Sequence, residues 1–212
     1  MMTQQYFDEH IQYFLLEYEG NAPARDYSYD YCQLYFSQHD GDFIIHNLEQ
    51  SCFVLWGYLA GFGMLRGSSP LLSKNPTILV PVIEFIAAHQ LNDIDLGDYC
   101  NEVVRQRIID GYQGIEQCLQ PLNPSPTLIT KIMLGVYTCI PAFDSYFVWF
   151  MKNQWGLRIN ANHFDAILQR IYEEFNHIEF PHLYLRQFNG EDSNIIMKKI
   201  RFIDRLGWEI GA

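Results

Sequence analysis

Apolar residues recur at helical spacing along most of the chain. In residues 3–19 and 163–176 they are separated by three or four positions, the pattern of an amphipathic helix. In residues 26–38 alternating tyrosines permit a strand, but the later apolar spacing favours a helix. The same reasoning predicts helices over residues 52–66, 76–89, 100–120, 128–139, 142–156 and 194–211. The predicted fold class is therefore all-α.

The stretch from Cys52 to Lys74 is the most apolar part of the pattern. Its first fourteen residues are all apolar or glycine. We predict a buried central helix over about residues 52–66, around which a single globular multi-helix domain is built. Each interior glycine costs about 1 kcal/mol relative to alanine, so Gly57 and Gly61 are expected to allow another backbone to approach closely. Gly67 is expected to be the left-handed residue that ends the helix.

The run PLNPSPT over residues 121–127 is the clearest linker, since three of its seven residues are proline. A chain of 212 residues fits one domain and is long enough to bury a substantial core. We therefore interpret residues 1–212 as one helical domain. Two helical halves divided at residues 121–127 remain the alternative.

The charge of the chain limits its partners. With 25 acidic and 14 basic residues the formal net charge is −11, which disfavours nucleic acid and anionic membranes. The N-terminal residues MMTQQYFDEH lack the features of a signal peptide. The apolar run over residues 52–65 is too short for a bilayer span and is followed by Arg66. These features predict a cytoplasmic protein without a membrane partner, or one that docks on a basic partner.

The five cysteines are widely spread, and none of them forms a CxxC pair. No histidine pair has the four-residue spacing of a helical metal site, and His177 and His182 are interpreted as solvated loop residues. We therefore expect a reducing compartment, no disulfide, no metal and no cofactor. Four cations lie close together near the C-terminus and are expected to pair with acidic residues of the same chain: Lys198, Lys199, Arg201 and Arg205.

The polar end of the Cys52–Lys74 stretch is the first candidate site. Its residues Arg66, Ser68, Ser69 and Lys74 combine hydroxyl groups and two cations at a helix junction. Such a junction binds phosphate or carboxylate through backbone N–H groups and charge-assisted hydrogen bonds. The alternative is a helix C-cap followed by an N-cap, with Arg66 paired to a carboxylate of the protein.

The second candidate site lies in residues 130–147, TKIMLGVYTCIPAFDSYF. A lysine opening an apolar helix, followed by Pro-x-x-Asp and an aromatic residue, resembles the distal part of helix-hairpin-helix DNA glycosylases. The terminal RFIDRLGWEIG also resembles the closing helix of small uncharacterised bacterial relatives of that group. The resemblance covers about a third of the chain. It implies that Lys131 matches the catalytic amine and Asp144 the aspartate held at a helix N-terminus.

Ordinary structural roles are the alternative for both residues of this second site. Asp144 is then an N-cap after Pro141, and Lys131 an exposed first-turn lysine whose stem covers apolar surface.

Two hypotheses about function follow. The leading one is a soluble acidic helical protein that binds a protein partner or a small anionic ligand without catalysis. The alternative is a DNA-glycosylase-like or other nucleic-acid-processing enzyme, intact or degenerate, that uses Lys131 and Asp144. The two differ in whether Lys131, Asp144 and Arg66 converge on one cleft with a positive rim.

Overall fold

The computed structural model describes residues 1–21, 24–67, 69–158 and 163–212, with the side chains of residues 21 and 24 left aside. These residues form α-helices, short 3₁₀ helices over Pro76–Leu79, Leu96–Cys100 and Gln120–Leu122, and a single two-stranded antiparallel hairpin. The helices are α1 Gln4–Asn21, α2 Ala24–Gln38, α3 Gly41–His46, α4 Leu48–Gly61, α5 Val80–Ala88, α6 Glu102–Cys118, α7 Pro126–Tyr137, α8 Ser145–Trp155, α9 Phe164–Phe175 and α10 Lys199–Gly211. The strands are β1 Tyr184–Arg186 and β2 Asp192–Ile196. The predicted all-α class is confirmed.

The hairpin is the main departure from the predicted elements. A helix was predicted over residues 194–211, but its first residues belong to β2, and α10 begins only at Lys199. Burial alternates along this segment, since Ser193 and Met197 are buried whereas Asn194 and Ile196 are exposed. That period of two is the pattern of a strand. The turn between the strands contains Gly190 at a φ of 85°.

The helix enclosed on every side is α7. All of its residues from Leu128 to Tyr137 are buried, and it packs against α2, α4 and α6. By contrast α4, the helix predicted to be central, buries only one side, because Phe53, Gly57 and Ala60 are exposed. The buried side chains form one cluster that includes residues on both sides of 121–127.

The central helix also has different bounds from the predicted ones. α4 ends at Gly61, and Gly63 is the left-handed residue that follows it, with a φ of 75°. The Gly63 N–H donates to the Ala60 carbonyl over 3.0 Å, and the Met64 N–H donates to the Leu59 carbonyl over 2.8 Å. These two bonds form a Schellman motif, which ends the helix before the predicted residue Gly67. Gly67 itself has a φ of 62° in the turn beyond.

The two helical glycines of α4 have different surroundings. A Cβ on Gly61 would lie 2.5 Å from the Ser28 hydroxyl of α2, so this glycine does permit close packing. A Cβ on Gly57 would have no heavy atom within 4 Å outside its own helix backbone and its neighbours in the chain. The expected close approach at Gly57 is therefore not present, and the space above it is open.

A buried ionic network joins α1, α2 and α10. Arg201 is 1% exposed and bonds Asp26 of α2 and, over 2.7 Å, Asp204 of its own helix. Arg205 donates to Glu17 of α1 over 3.0 Å. The prediction that the C-terminal cations pair within the chain is thus confirmed for these two arginines. The network therefore links α10 to both α1 and α2 through the charge pairs of Arg201 and Arg205.

The remaining general features concern membranes and thiols. Among the described residues no helix combines the length and the apolar character needed to cross a bilayer. All five cysteines carry free thiols, and Cys32, Cys52 and Cys139 are buried.

Candidate functional site

Lys131 lies at the contact between α7 and α4. Its side chain is 8% exposed, and its Nζ donates a hydrogen bond of 2.7 Å to the Phe62 carbonyl. Phe62 is the C-cap of α4, where carbonyl groups lack partners within the helix. The Tyr58 hydroxyl of α4 returns a hydrogen bond of 2.9 Å to the Lys131 carbonyl. The predicted alternative of an exposed lysine is therefore wrong, because Lys131 is buried and caps α4.

The surroundings of Lys131 disfavour its charge. Burial lowers the pKa of the Lys131 amine, and the charge of Asp144 opposes this by raising it. Arg25 and Arg66 both lower the pKa of Lys131 further, which places their positive charges near the amine. An anion that binds near the Lys131 amine would therefore stabilise its protonated form.

Asp144 is the N-cap of α8. Its Oδ1 accepts hydrogen bonds of 3.1 Å from the backbone N–H groups of Tyr146 and Phe147. The predicted capping role is confirmed. Within the described residues no hydrogen bond or ion pair connects Asp144 to Lys131, so the carboxylate acts on the amine through space.

Arg66 is exposed and folds back on the turn after α4. A Cβ on Gly63 would lie 2.8 Å from Arg66 Nε and 2.9 Å from one terminal nitrogen. A glycine is therefore needed at position 63 for two reasons: the backbone has a positive φ there, and a Cβ would collide with the Arg66 guanidinium. Arg66 has no carboxylate within 4.0 Å among the described residues, so the alternative in which it pairs with one is not observed there.

Arg25 is a third cation at this place, and the sequence reasoning missed it. Its guanidinium lies 4.5 Å from the centroid of the Phe62 ring and 5.5 Å from that of Trp208, the arrangement of a cation–π contact. Its Nε is buried without a hydrogen-bond partner, and no carboxylate of the described residues lies within 4.0 Å of it. Burial lowers the pKa of Arg25 and Arg201 lowers it further, whereas the charges of Asp204 and Asp26 oppose this by raising it. No spacing in the sequence relates Arg25 to Phe62.

We call Arg25, Arg66 and Lys131 the cationic cluster. All three contact residues 62–63: Arg25 lies over the Phe62 ring, Lys131 bonds the Phe62 carbonyl, and Arg66 covers Gly63. Asp144 and Asp204 act on Lys131 from a distance. Of the three sequence-predicted residues, Lys131 and Arg66 thus both contact residues 62–63, whereas no hydrogen bond or ion pair within the described residues joins Asp144 to either of them.

A surface groove of about 680 Å³ meets the cationic cluster at Arg66, whereas Arg25 and Lys131 do not line it. Arg66 and Ser69 line one side, and Asn123, Ser125 and Thr127 line the other. Ser125 caps α7, its side chain accepting from the Leu128 N–H over 3.2 Å, so the positive end of the helix dipole faces the groove. Thr127, which lines the groove, lies one helical turn before Lys131 on α7.

The other residues of the predicted junction contribute less. The Ser69 hydroxyl donates to the Met64 carbonyl and so serves the turn. Lys74 is exposed and does not line the groove. Ser68 lies outside the described residues. In the described part of the chain, no group of three His, Cys, Asp or Glu side chains has the arrangement of a metal site.

The comparisons with known proteins add no relative. The family models, the curated proteins and the solved structures gave no match to this chain. The resemblance to helix-hairpin-helix glycosylases therefore stays a prediction.

Proposed function

We propose that the protein binds a small anionic ligand, a phosphate or carboxylate compound, at the cationic cluster and the adjoining groove, without catalysis. The observation that carries the proposal is the convergence of Arg25, Arg66 and Lys131 on residues 62–63. None of the three has a carboxylate within 4.0 Å among the described residues. In a chain of net charge −11 such a cluster is unexpected, and a bound anion relieves the repulsion among its members.

The expected hydrogen-bond energies correspond to a weak, millimolar affinity for a simple anion. A hydrogen bond to a charged group contributes about 1.5–3 kcal/mol. Two such bonds from Arg25 and Arg66 correspond to a dissociation constant in the millimolar range, since about 4 kcal/mol equals 1 mM. The groove of about 680 Å³ is larger than a phosphate ion needs, and its size is typical of small-molecule sites. The expected ligand is therefore an organic phosphate or carboxylate that also contacts Thr127 and Asn123.

Calorimetric titration tests the proposal with inorganic phosphate, citrate and a nucleoside monophosphate as probes. We expect at least one of them to bind, and Arg66→Ala to weaken that binding by roughly tenfold through the lost charged contact. Lys152→Ala is the matched control, because Lys152 is an exposed cation in the last turn of α8, outside the groove. No binding of any probe at millimolar concentration, or equal weakening by both substitutions, would overturn the proposal.

A second candidate is the nucleic-acid-processing enzyme that the glycosylase resemblance implies. Its specific support is the burial of Lys131, which lowers the pKa of the amine as a nucleophilic lysine requires. Borohydride trapping on DNA with an abasic site is the test, with Lys131→Ala as the control variant. A covalent adduct that depends on Lys131 supports the enzyme, and its absence excludes amine chemistry on that substrate.

We also infer a cytoplasmic location, which the five free thiols support, because thiols persist in a reducing compartment.

A further inference from the structure

A second surface, on the side of α3, combines carboxylates with exposed apolar side chains. The helices α3, α4 and α5 pack on one another there. Two depressions, of about 450 and 550 Å³, are lined from α3 by Ile45 and by His46 respectively. We call this surface the acidic face and define it by six exposed residues: Asp40, Asp42, Ile45, Glu49, Phe53 and Glu84.

The charge of the acidic face is uncompensated. The sequence has neither lysine nor arginine between Arg25 and Arg66, or between Lys74 and Arg105. The helices α3, α4 and α5 therefore carry no lysine or arginine at all. None of the four carboxylates of the face forms an ion pair within the described part of the chain. Exposed carboxylates without cations nearby attract a cationic partner.

The apolar part of the face is also unpartnered. Ile45 is 41% exposed and Phe53 is 56% exposed. Gly57 lies one turn after Phe53 on the same side of α4, and the space where its Cβ would be is open. A glycine in a helix interior costs about 1 kcal/mol relative to alanine, and no contact within the chain explains it here. An exposed aromatic beside an open glycine is a place where a second backbone can lie close.

We propose that the acidic face docks a basic amphipathic segment of a partner protein. Lysine or arginine side chains of that segment pair with Asp42, Glu49 and Glu84, and its apolar side chains cover Ile45 and Phe53. Recognition of an amphipathic helix in a groove uses this combination of apolar anchors and rim charges. A second copy of the chain, nucleic acid and an anionic membrane would each bring negative charge against the face, which like-charge repulsion opposes.

The test is fluorescence anisotropy with a labelled helical peptide of leucine and lysine, compared with a version in which glutamate replaces lysine. We expect the lysine peptide alone to bind at physiological salt. The double variant Glu49→Gln/Phe53→Ala should weaken binding by at least about tenfold, since charge and anchor are lost together. The matched control is Glu102→Gln/Val103→Ala, which removes one exposed charge and one exposed apolar side chain from α6. It should change affinity by less than about twofold.

Several outcomes would overturn the proposal. Equal weakening by the two double variants would mean that overall charge alone attracts the peptide. Failure of the lysine peptide to bind, or binding of the glutamate peptide, would also refute it. A sedimentation experiment that shows a dimer lost in Glu49→Gln/Phe53→Ala would assign the face to self-association instead. Glu49→Gln/Phe53→Ala should leave phosphate binding at the cationic cluster unchanged. The docking proposal and the anion-site proposal can therefore be refuted independently.

Discussion

Replacement of Arg201 by methionine is the most severe test of the buried ionic network. Arg201 is 1% exposed, and it is the partner of both Asp26, which is 1% exposed, and Asp204, which is 5% exposed. Arg201→Met leaves both carboxylates inside the protein without that cation. Asp204 keeps a hydrogen bond of 2.9 Å from the Ala142 N–H, and Arg205 approaches Asp26 only to 4.0 Å. Removing one partner of a buried pair costs about 3–5 kcal/mol.

Urea unfolding followed by tryptophan fluorescence measures this loss. With a denaturant slope of about 2–3 kcal/mol per molar urea, the midpoint should fall by roughly 1–2 M. Arg107→Met is the matched control, because its pair with Asp93 is exposed at the surface, and such pairs contribute about 0–1 kcal/mol. The difference between wild type and Arg201→Met should shrink as pH falls, because burial raises the pKa of Asp204 and protonation removes its negative charge.

Two results would refute this reasoning. A free energy of unfolding for Arg201→Met within about 1 kcal/mol of the wild-type value would show that the buried carboxylates do not depend on this cation. A loss that stays constant from pH 7 to pH 4 would show that packing, rather than the buried charge of Asp204, is responsible.

Further predictions concern four single positions. Burial raises the pKa of Asp30 from its ordinary value near 4 to about 7. The stability that the neutral carboxyl group contributes is therefore fully present below pH 4 and is lost as pH rises through 7. In thermal melts the stability of wild type should fall over this range by up to about 4 kcal/mol relative to Asp30→Asn. A difference between the two proteins that does not change with pH would contradict this. Gly57→Ala should stabilise the protein by about 1 kcal/mol. Gly135→Ala should destabilise it by about 1–3 kcal/mol, because the new Cβ would lie 2.3 Å from the Tyr58 ring; equal melting temperatures for these two variants would be inconsistent with the packing. Asp144→Ala should lower stability by about 1 kcal/mol through the lost cap, with Asp144→Asn retaining most of it, and equal losses in calorimetric melts would argue against capping.

The amphipathic elements were predictable from the sequence. In α9 the buried residues Phe164, Ile167, Leu168 and Ile171 repeat at three and four positions, so one local pattern determines both the helix and its buried face. The ends of α4 were less predictable, because the apolar run continues past Gly61 and several glycines compete to end it. The hairpin was missed because its first strand has only three residues, too few to show a period.

The candidate site was predictable only in part. Arg66 and Lys131 stand out in the sequence, since each is a cation next to apolar residues. Their relation to Arg25 depends on α2 packing against α4 and α7, a tertiary contact that no local pattern contains. The burial of Lys131 could not be inferred either. A lysine near the start of a predicted helix is exposed in most proteins, with only its aliphatic stem covering apolar surface.

A phosphate titration followed by NMR of the arginine Nε–Hε resonances tests the central claim most directly. If the cationic cluster binds phosphate, the resonances of Arg25 and Arg66 should shift together and saturate with one dissociation constant. The resonance of Arg107, which is paired with Asp93, should stay in place. Absence of a saturable shift at Arg25 and Arg66, or equal shifts at all three arginines, would contradict the anion site.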